Sequence, residues 1–590
     1  MKTTRIGLLL LSVLLCVALG VAFTACDRGD TPADTTVADT SAPTEPDTTE
    51  APTEAPTEPE TTEEVTTEAP TEPEETEPPI VDVPVGDTLD APHATQFTVS
   101  NVFASDMVVQ RGEFLRVWGW ADAAQNGKKV TGEFKGMFAE AIIENGAWEI
   151  TFTARLEASA ELGHTMKIYG DGVSYEFKDV LVGDVYMVMG QSNCAYSVGN
   201  HHQYVNTDDK GGKNVLDYDA PIRIHYNSQN QTAGYPKQGT DEVCLEIRSN
   251  SKWQKADSYA DIYNFTAIGY LFAHNYVKLT DSKVPIGLIE IDGNGRPIGA
   301  FMCNEVATEK GTDRYDSTKG YYVTTGVNAD GGRFLYNHYM YPFERYAIAG
   351  LIWYQGESDL LQANTRVYAE NFSALMTYMR GTHNLINKDF PVYYVEFPTI
   401  YQKPANHVGD WHYMDVGLIR AAMGEIQRIL PNSHQIVSTD LWSDNTFFNN
   451  LHPNCKFEQS ERAAILAAAV NGEGGKTMAQ GNGPILVSME ILEGGKKAIL
   501  TYENVGEGLK TTDGGTTVKG FQIYRKNVSL NPRAELTATI TAPNQITIVS
   551  DNSISGLAYN AITYNVYGVD VNLCNSEGVP AGATVILKEE

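Results

Sequence analysis

Between about residues 180 and 475, short apolar runs alternate with segments of helical period, and this alternation constrains the fold more than any other feature of the chain. Runs that are apolar throughout suit strands covered on both faces, and strands separated by helical segments pair in parallel through crossover helices. The expected strands are Val185 to Met189, Ile286 to Ile291, Ile348 to Trp353, Val392 to Phe397 and Ile436 to Thr439. Between them Tyr368, Phe372, Leu375, Met376 and Met379 share one helical face, and 265–279, 416–430 and 459–470 also read as helices. The expectation is an α/β domain over 181–481 with a mainly parallel sheet.

Both flanks read differently. Residues 94–180 hold short alternating stretches such as Leu115-Arg116-Val117-Trp118-Gly119-Trp120, broken by Asn-Gly turns at 126–127 and 145–146. That pattern predicts a small β-sandwich-like domain. Alternation returns over 482–590, in Lys497-Ala498-Ile499-Leu500-Thr501-Tyr502 for example, and predicts a second β domain.

The first residues place Lys2 and Arg5 ahead of an apolar run from Ile6 to Ala22, the charge order of an export signal over 1–25. Phe23-Thr24-Ala25-Cys26 resembles a bacterial lipobox, so Cys26 is the expected lipid attachment site; the other reading of the run is an uncleaved membrane anchor. From 26 to 93 the chain is almost entirely Thr, Glu, Pro, Asp and Ala, which cannot bury enough apolar surface to fold. This linker carries 20 acidic residues against the single base Arg28, more than half of the formal net charge of -32. The expectation is an extracellular lipoprotein on an extended acidic stalk, touching the membrane only through its anchor. With no basic stripe on any recognisable element, the charge distribution argues against nucleic acid as a partner.

Cys194, Cys244, Cys303, Cys455 and Cys574 are five scattered thiols beyond the leader, without disulfide-framework or metal-ligand spacing. Neighbouring residues such as His201 and His202 point apart, so no metal is expected. No organic cofactor is expected either.

In open parallel sheets, ligands sit beyond the carboxyl ends of the strands. Four loops there carry chemistry-bearing residues. Gly190-Gln191-Ser192-Asn193 follows the first strand and presents a hydroxyl on a tight turn. Asp292-Gly293-Asn294-Gly295 offers backbone N–H groups of Gly293 and Gly295 as oxyanion donors. Trp353-Tyr354-Gln355-Gly356-Glu357 offers the Gln355 amide to an oxyanion and Glu357 to a substrate hydroxyl. Leu451-His452-Pro453 brings an imidazole that could serve Ser192 as general base and acid.

The ordered set Gly-Gln-Ser-Asn, Trp-Tyr-Gln-Gly-Glu and Leu-His-Pro-x-x-Lys resembles the sialate O-acetylesterase family of the SGNH hydrolase superfamily. Likeness extends to Asp106-Met107-Val108-Val109-Gln110-Arg111, Gly183-Asp184-Val185-Tyr186 and the stretch from Asn572 to Pro580, covering about 95 to 590. The resemblance implies an SGNH-type hydrolase domain and a carbohydrate O-acetylesterase, acting on acetyl esters of sialic acid or of a plant polysaccharide. It implies Ser192 as nucleophile, His452 as base, and an oxyanion hole from the Ser192 N–H, Gly293 or Gly295, and Gln355. Gln191, Asn193 and Glu357 are expected to bind substrate.

The family places an acidic residue two or three positions before the histidine, where this chain has the amides Asn449 and Asn450. Asp444 or Asn449 is the expected orienting residue, with Asp440 and Glu357 as alternatives. The missing carboxylate also leaves open a contrasting reading, a non-catalytic surface protein that binds glycan on the same fold.

Overall fold

The computed structural model describes residues 94–159, 163–201, 215–228, 243–247, 251–309, 315–316, 321–322, 335–360, 367–398, 411–441, 452–453, 455–525, 536–550, 560–566 and 570–587. The expected export signal over 1–25, Cys26, the expected linker over 26–93, and Asp444, Asn449 and Asn450 lie outside the described residues.

The elements that position the site are, in chain order, β1 (Val173–Gly190), β2 (Ile222–Ser228), β3 (Trp253–Lys255), α1 (Ala267–Thr280), β4 (Ile286–Asp292), β5 (Gly350–Tyr354), α2 (Tyr368–Thr382), β6 (Val392–Val395), α3 (Trp411–Ile429), β7 (Ser433–Ile436) and α4 (Lys456–Asn471). The strands run in the spatial order β3-β2-β4-β1-β5-β6-β7 within a larger sheet. Each neighbouring pair from β2 to β7 is parallel, and β3 joins β2 antiparallel. All seven residues of β4 and all five of β5 are buried, as strands covered on both faces should be.

The register decides where the loops emerge. Asp292 of β4 pairs with Gly190 of β1, and Gly190 pairs with Tyr354 of β5, so three strands end side by side. Because β1 lies between a strand added to its left and another to its right, the loops leaving it part there and open a crevice.

The strands β2 and β3 have no counterpart among the expected elements. In β2 (Ile-Arg-Ile-His-Tyr-Asn-Ser) the polar side chains of Arg223, His225 and Asn227 are buried beside apolar ones. Arg223 meets Asp179 at 3.1 Å, Asn227 donates to the Tyr339 carbonyl at 3.1 Å, and His225 packs edge-on against Trp253 and Phe343.

The strand β1 crosses the expected boundary at 180–181 without a break. Its first half pairs antiparallel with His164–Gly170, and Leu181, Val182 and Gly183 pair parallel with Val108–Gln110. The N-terminal strands and the α/β part share one hydrophobic core, which includes Trp118, Trp120 and Trp148. Two buried charges reinforce that junction. Arg116 donates to the carbonyls of Arg345, Thr382 and His383, capping the end of α2, and Glu113 accepts from the N–H groups of Ile386 and Asn387.

Toward the C-terminus, Ile485–Leu492, Lys497–Glu503, Gln545–Val549, Thr537–Ala542 and Thr517–Val518 form a five-stranded antiparallel sheet. A separate three-stranded sheet joins Phe521–Arg525, Asn560–Tyr564 and Thr584–Leu587. The side chain of Asn575 donates to the carbonyls of Ala479 and Asn482 while accepting from the N–H groups of Glu577 and Val579, so this buried amide stitches the end of the chain to the segment after α4. The five cysteines of the described part are free thiols.

Candidate active site

The turn after β1 needs glycine at 190, because a Cβ there would collide with the Tyr354 carbonyl oxygen and with Cys194. The N–H groups of Cys194 and Ala195 both return to the Gln191 carbonyl, at 2.8 and 2.9 Å, and close the turn that presents Ser192. Ser192 Oγ lies 2.8 Å from Nε2 of His452, a residue 260 positions away in the chain. The imidazole also stacks on Tyr196, with ring centroids 6.2 Å apart. Burial, and then the positive charge of Lys456, pushes the His452 pKa down to about 4. The ring is therefore neutral at ordinary pH and able to accept the hydroxyl proton.

Behind the turn, Gln355 is wholly buried. Its Nε2 donates to Asp359 Oδ2 at 2.7 Å, and to Gln191 Oε1 and the Arg296 carbonyl at 3.1 Å each, while its Oε1 accepts from Tyr368 at 3.0 Å. The amide is thus engaged with protein acceptors rather than aimed at the crevice, and it ties three strand-end loops together. Asp359 also accepts from the Ile298 N–H at 2.8 Å. Burial dominates over these hydrogen bonds and pushes the Asp359 pKa up to about 6.

The other expected oxyanion and substrate residues divide in the same way. The Gly293 N–H donates to the Gly190 carbonyl at 3.0 Å, so it locks β4 to the turn instead of facing a substrate. Gly295 is exposed with φ +66°, the left-handed region that glycine enters freely. Among the described residues no acceptor takes the N–H of Ser192 or Gly295. Gln191 is buried, and its Oε1 accepts from the Ser358 N–H at 3.1 Å as well as from Gln355.

Asn193 is buried too, and both ends of its amide are used. Its Nδ2 donates to Glu357 Oε1, and its Oδ1 accepts from Lys456 Nζ at 2.8 Å. Glu357 is accordingly turned toward Asn193 and Lys456, not toward His452, and burial pushes its pKa up to about 7. Asp440, the other alternative orienting acid, pairs with Arg462 at 2.6 Å. No residue within the described part orients the second nitrogen of His452.

Lys456 was present in the sequence only as the last residue of Leu-His-Pro-x-x-Lys, with no role attached. Its side chain is fully buried, lies 4.7 Å from the Tyr354 ring centroid, and has its pKa lowered to about 8, chiefly by burial. Its spacing of four from His452 at the start of a helix is the signal that could have flagged it. Tyr196 and Asp359 carried no comparable signal. Among the described residues no three His, Cys, Asp or Glu side chains are grouped to hold a metal ion, and no helix is long and apolar enough to cross a membrane.

Residues 182–452 match the family model described as carbohydrate esterase, sialic acid-specific acetylesterase. The sialate O-acetylesterases of Pongo abelii and Homo sapiens are each 28% identical over 340 residues, covering 55% of this chain and 60% of theirs. The chain thus spans about three-fifths of the length of the curated relatives it matches. The crystal structure of a novel carbohydrate acetylesterase from Xanthomonas citri superposes with a TM-score of 0.62 at 24% identity, covering 83% of this chain and 100% of that one. That likeness is one of fold.

Proposed function

We propose that the chain, whose residues 182–452 match the carbohydrate esterase family of sialic acid-specific acetylesterases, hydrolyses O-acetyl esters on carbohydrate by a serine acyl-enzyme mechanism on an SGNH-type fold. The observation that carries the reading is the 2.8 Å contact between Ser192 Oγ, on the turn after β1, and Nε2 of His452, which precedes α4. A glycan-binding protein has no use for a hydroxyl held against a neutral, desolvated imidazole.

In the first step His452 Nε2 takes the Ser192 proton as Oγ attacks the acetyl carbonyl. The N–H of Ser192 itself, with Gly295 from the neighbouring loop, supplies hydrogen bonds to the tetrahedral oxyanion. Collapse breaks the bond to the sugar oxygen, which leaves with the proton from His452. Water, deprotonated by the same imidazole, then attacks the acetyl-Ser192 carbonyl; the bond from the acetyl carbon to Oγ breaks, Oγ takes the proton back from His452, and acetate leaves. Asp444 or Asn449, in the segment preceding His452, is proposed to orient the imidazole, and the chemistry requires neither metal nor organic cofactor.

The acetylated group is on a sialic acid or on a plant polysaccharide such as xylan or mannan. The export signal and Cys26 support a lipid-tethered enzyme at the cell surface, with 94–180 and 482–590 as β domains around the catalytic one. The test is acetate release from acetylated xylan, acetylated mannan and O-acetylated sialic acid, with Ser192→Ala and His452→Ala in parallel. Release that either variant leaves intact contradicts the mechanism, and the best substrate names the specificity.

A further inference from the structure

Lys456 opens α4 with no solvent exposure, although a cation at the first turn of a helix opposes the helix dipole and a buried ammonium forfeits its hydration. Both costs are offset by the contacts it makes. Its Nζ donates to the Pro453 carbonyl at 2.7 Å and to Asn193 Oδ1 at 2.8 Å, and it lies 4.7 and 5.5 Å from the ring centroids of Tyr354 and Tyr196. Pro453 follows His452, and Asn193 follows Ser192. One ammonium therefore grips the immediate neighbours of both reacting side chains, and Asn193 passes the grip to Glu357 on the loop after β5.

We propose that Lys456 is a positioning residue for the acyl transfer, a bracket that holds the Ser192 turn and the His452 segment at reaction distance, with Asn193 and Glu357 completing it. This rests on the reading that Ser192 and His452 carry the chemistry. The turn of Ser192 is fixed by the sheet, since Gly190 pairs with both β4 and β5. His452 lies on no strand end; it precedes α4, so its distance from Ser192 depends on ties made outside the sheet. The bracket is such a tie, and its hydrogen bonds are charge-assisted and shielded from water, where they are strongest.

The positive charge has a second effect. Among the described residues, the groups facing His452 are Ser192, Tyr196 and Lys456, while Lys456 itself faces Glu357, Cys194, Cys455 and the rings of Tyr196 and Tyr354. Lys456 disfavours a proton on His452, so a neutral replacement moves the imidazole titration to higher pH. A residue that only filled space would leave that titration where it was.

The test measures kcat and KM of the whole chain with 4-nitrophenyl acetate, and the pH profile of kcat/KM, for Lys456→Met, for Ser192→Ala and for the double variant Glu357→Gln with Lys456→Met. Lys456→Met is expected to lower kcat about 10- to 100-fold, the size of losing charge-assisted hydrogen bonds, with KM within about twofold. The acid limb of its profile moves upward by about half to one pH unit. If Lys456→Met does not fold because Glu357 is left buried without a counter-charge, the neutral double variant folds and shows the same loss of kcat. Either variant with unmodified kcat and an unmoved acid limb, while Ser192→Ala is inactive, overturns the bracket alone. Activity surviving in Ser192→Ala overturns the acyl-enzyme reading, and the bracket with it.

Discussion

Arg420 on α3 and Glu396 after β6 form an ion pair at 3.0 Å in which neither side chain has any solvent exposure. The surrounding groups come from the end of the chain as well as from the sheet. Arg420 donates to the Asn565 carbonyl at 3.1 Å and to Thr439 at 2.8 Å, and Glu396 accepts from the Ala583 N–H at 2.9 Å. Removing one partner leaves the other charged and dry. Arg420→Met should therefore cost about 3–5 kcal/mol in urea unfolding, and combining it with Glu396→Gln should recover part of that loss. Equal midpoints for Arg420→Met and the unmodified protein would show that the pair contributes nothing.

The same contacts bear on the C-terminal strands. Deleting 482–590 strips Asn565 and Ala583 from the ion pair and removes Asn575 from the carbonyl of Ala479. The truncated protein is expected to be insoluble, since losing Val566 and Ala583 uncovers the Ala421 surface they pack on and leaves buried polar groups unpaired. A soluble truncation with full esterase activity is the opposing result, and it would make the C-terminal β region dispensable.

The pH dependence follows from the base. With the His452 pKa held down to about 4 by burial and by Lys456, the imidazole stays unprotonated through pH 5 and 6. The acid limb of kcat/KM is expected near pH 4 rather than near the unperturbed histidine value of about 6.5. A half-maximal rate at about pH 6.5 or above would mean that the imidazole is stabilised as a cation, by an orienting carboxylate stronger than the effects of burial and Lys456.

Gly190→Ala tests the tight passage under the nucleophile. The added methyl meets the Tyr354 backbone oxygen, which cannot move without disturbing the β1–β5 pairing. The expected cost is about 2 kcal/mol or more in stability, within the range of backbone incompatibilities, and at least a tenfold fall in kcat as Ser192 shifts from His452. Unchanged kinetics would show that the turn can relax around a side chain.

Asp359 gives a stability signature. Its folded pKa is raised to about 6 by burial, so the folded protein binds this proton more tightly than the unfolded chain does. The stabilisation is fully present below the unfolded value and is lost as pH rises through about 6, amounting to roughly 2–3 kcal/mol for a shift of this size. Asp359→Asn, which cannot ionise, should lack this component when unfolding free energy is followed from pH 4 to 7. A variant whose stability follows the same pH curve as the unmodified protein would locate the titration elsewhere.

The sequence by itself determined the sheet strands that are apolar throughout, because a strand buried on both faces leaves a local signal, and it determined the strand-end loops, because glycine and polar residues interrupt that signal at 190–193, 293–295 and 355–358. It also singled out Ser192 and His452, whose residue types fit the chemistry. It missed β2, since Arg223, His225 and Asn227 read as solvated residues until Asp179, Trp253 and Tyr339 are seen to enclose them. Only the tertiary structure decided which polar residues face the crevice and which hold it together. Gln355, Asn193 and Glu357 look like substrate contacts in the sequence, yet their partners are Gln191, Asp359 and Lys456. The physical reason is that an amide or carboxylate has no local preference between water, substrate and a buried donor. Its assignment depends on groups brought close by the sheet register from as far as 263 residues away, as Lys456 is to Asn193.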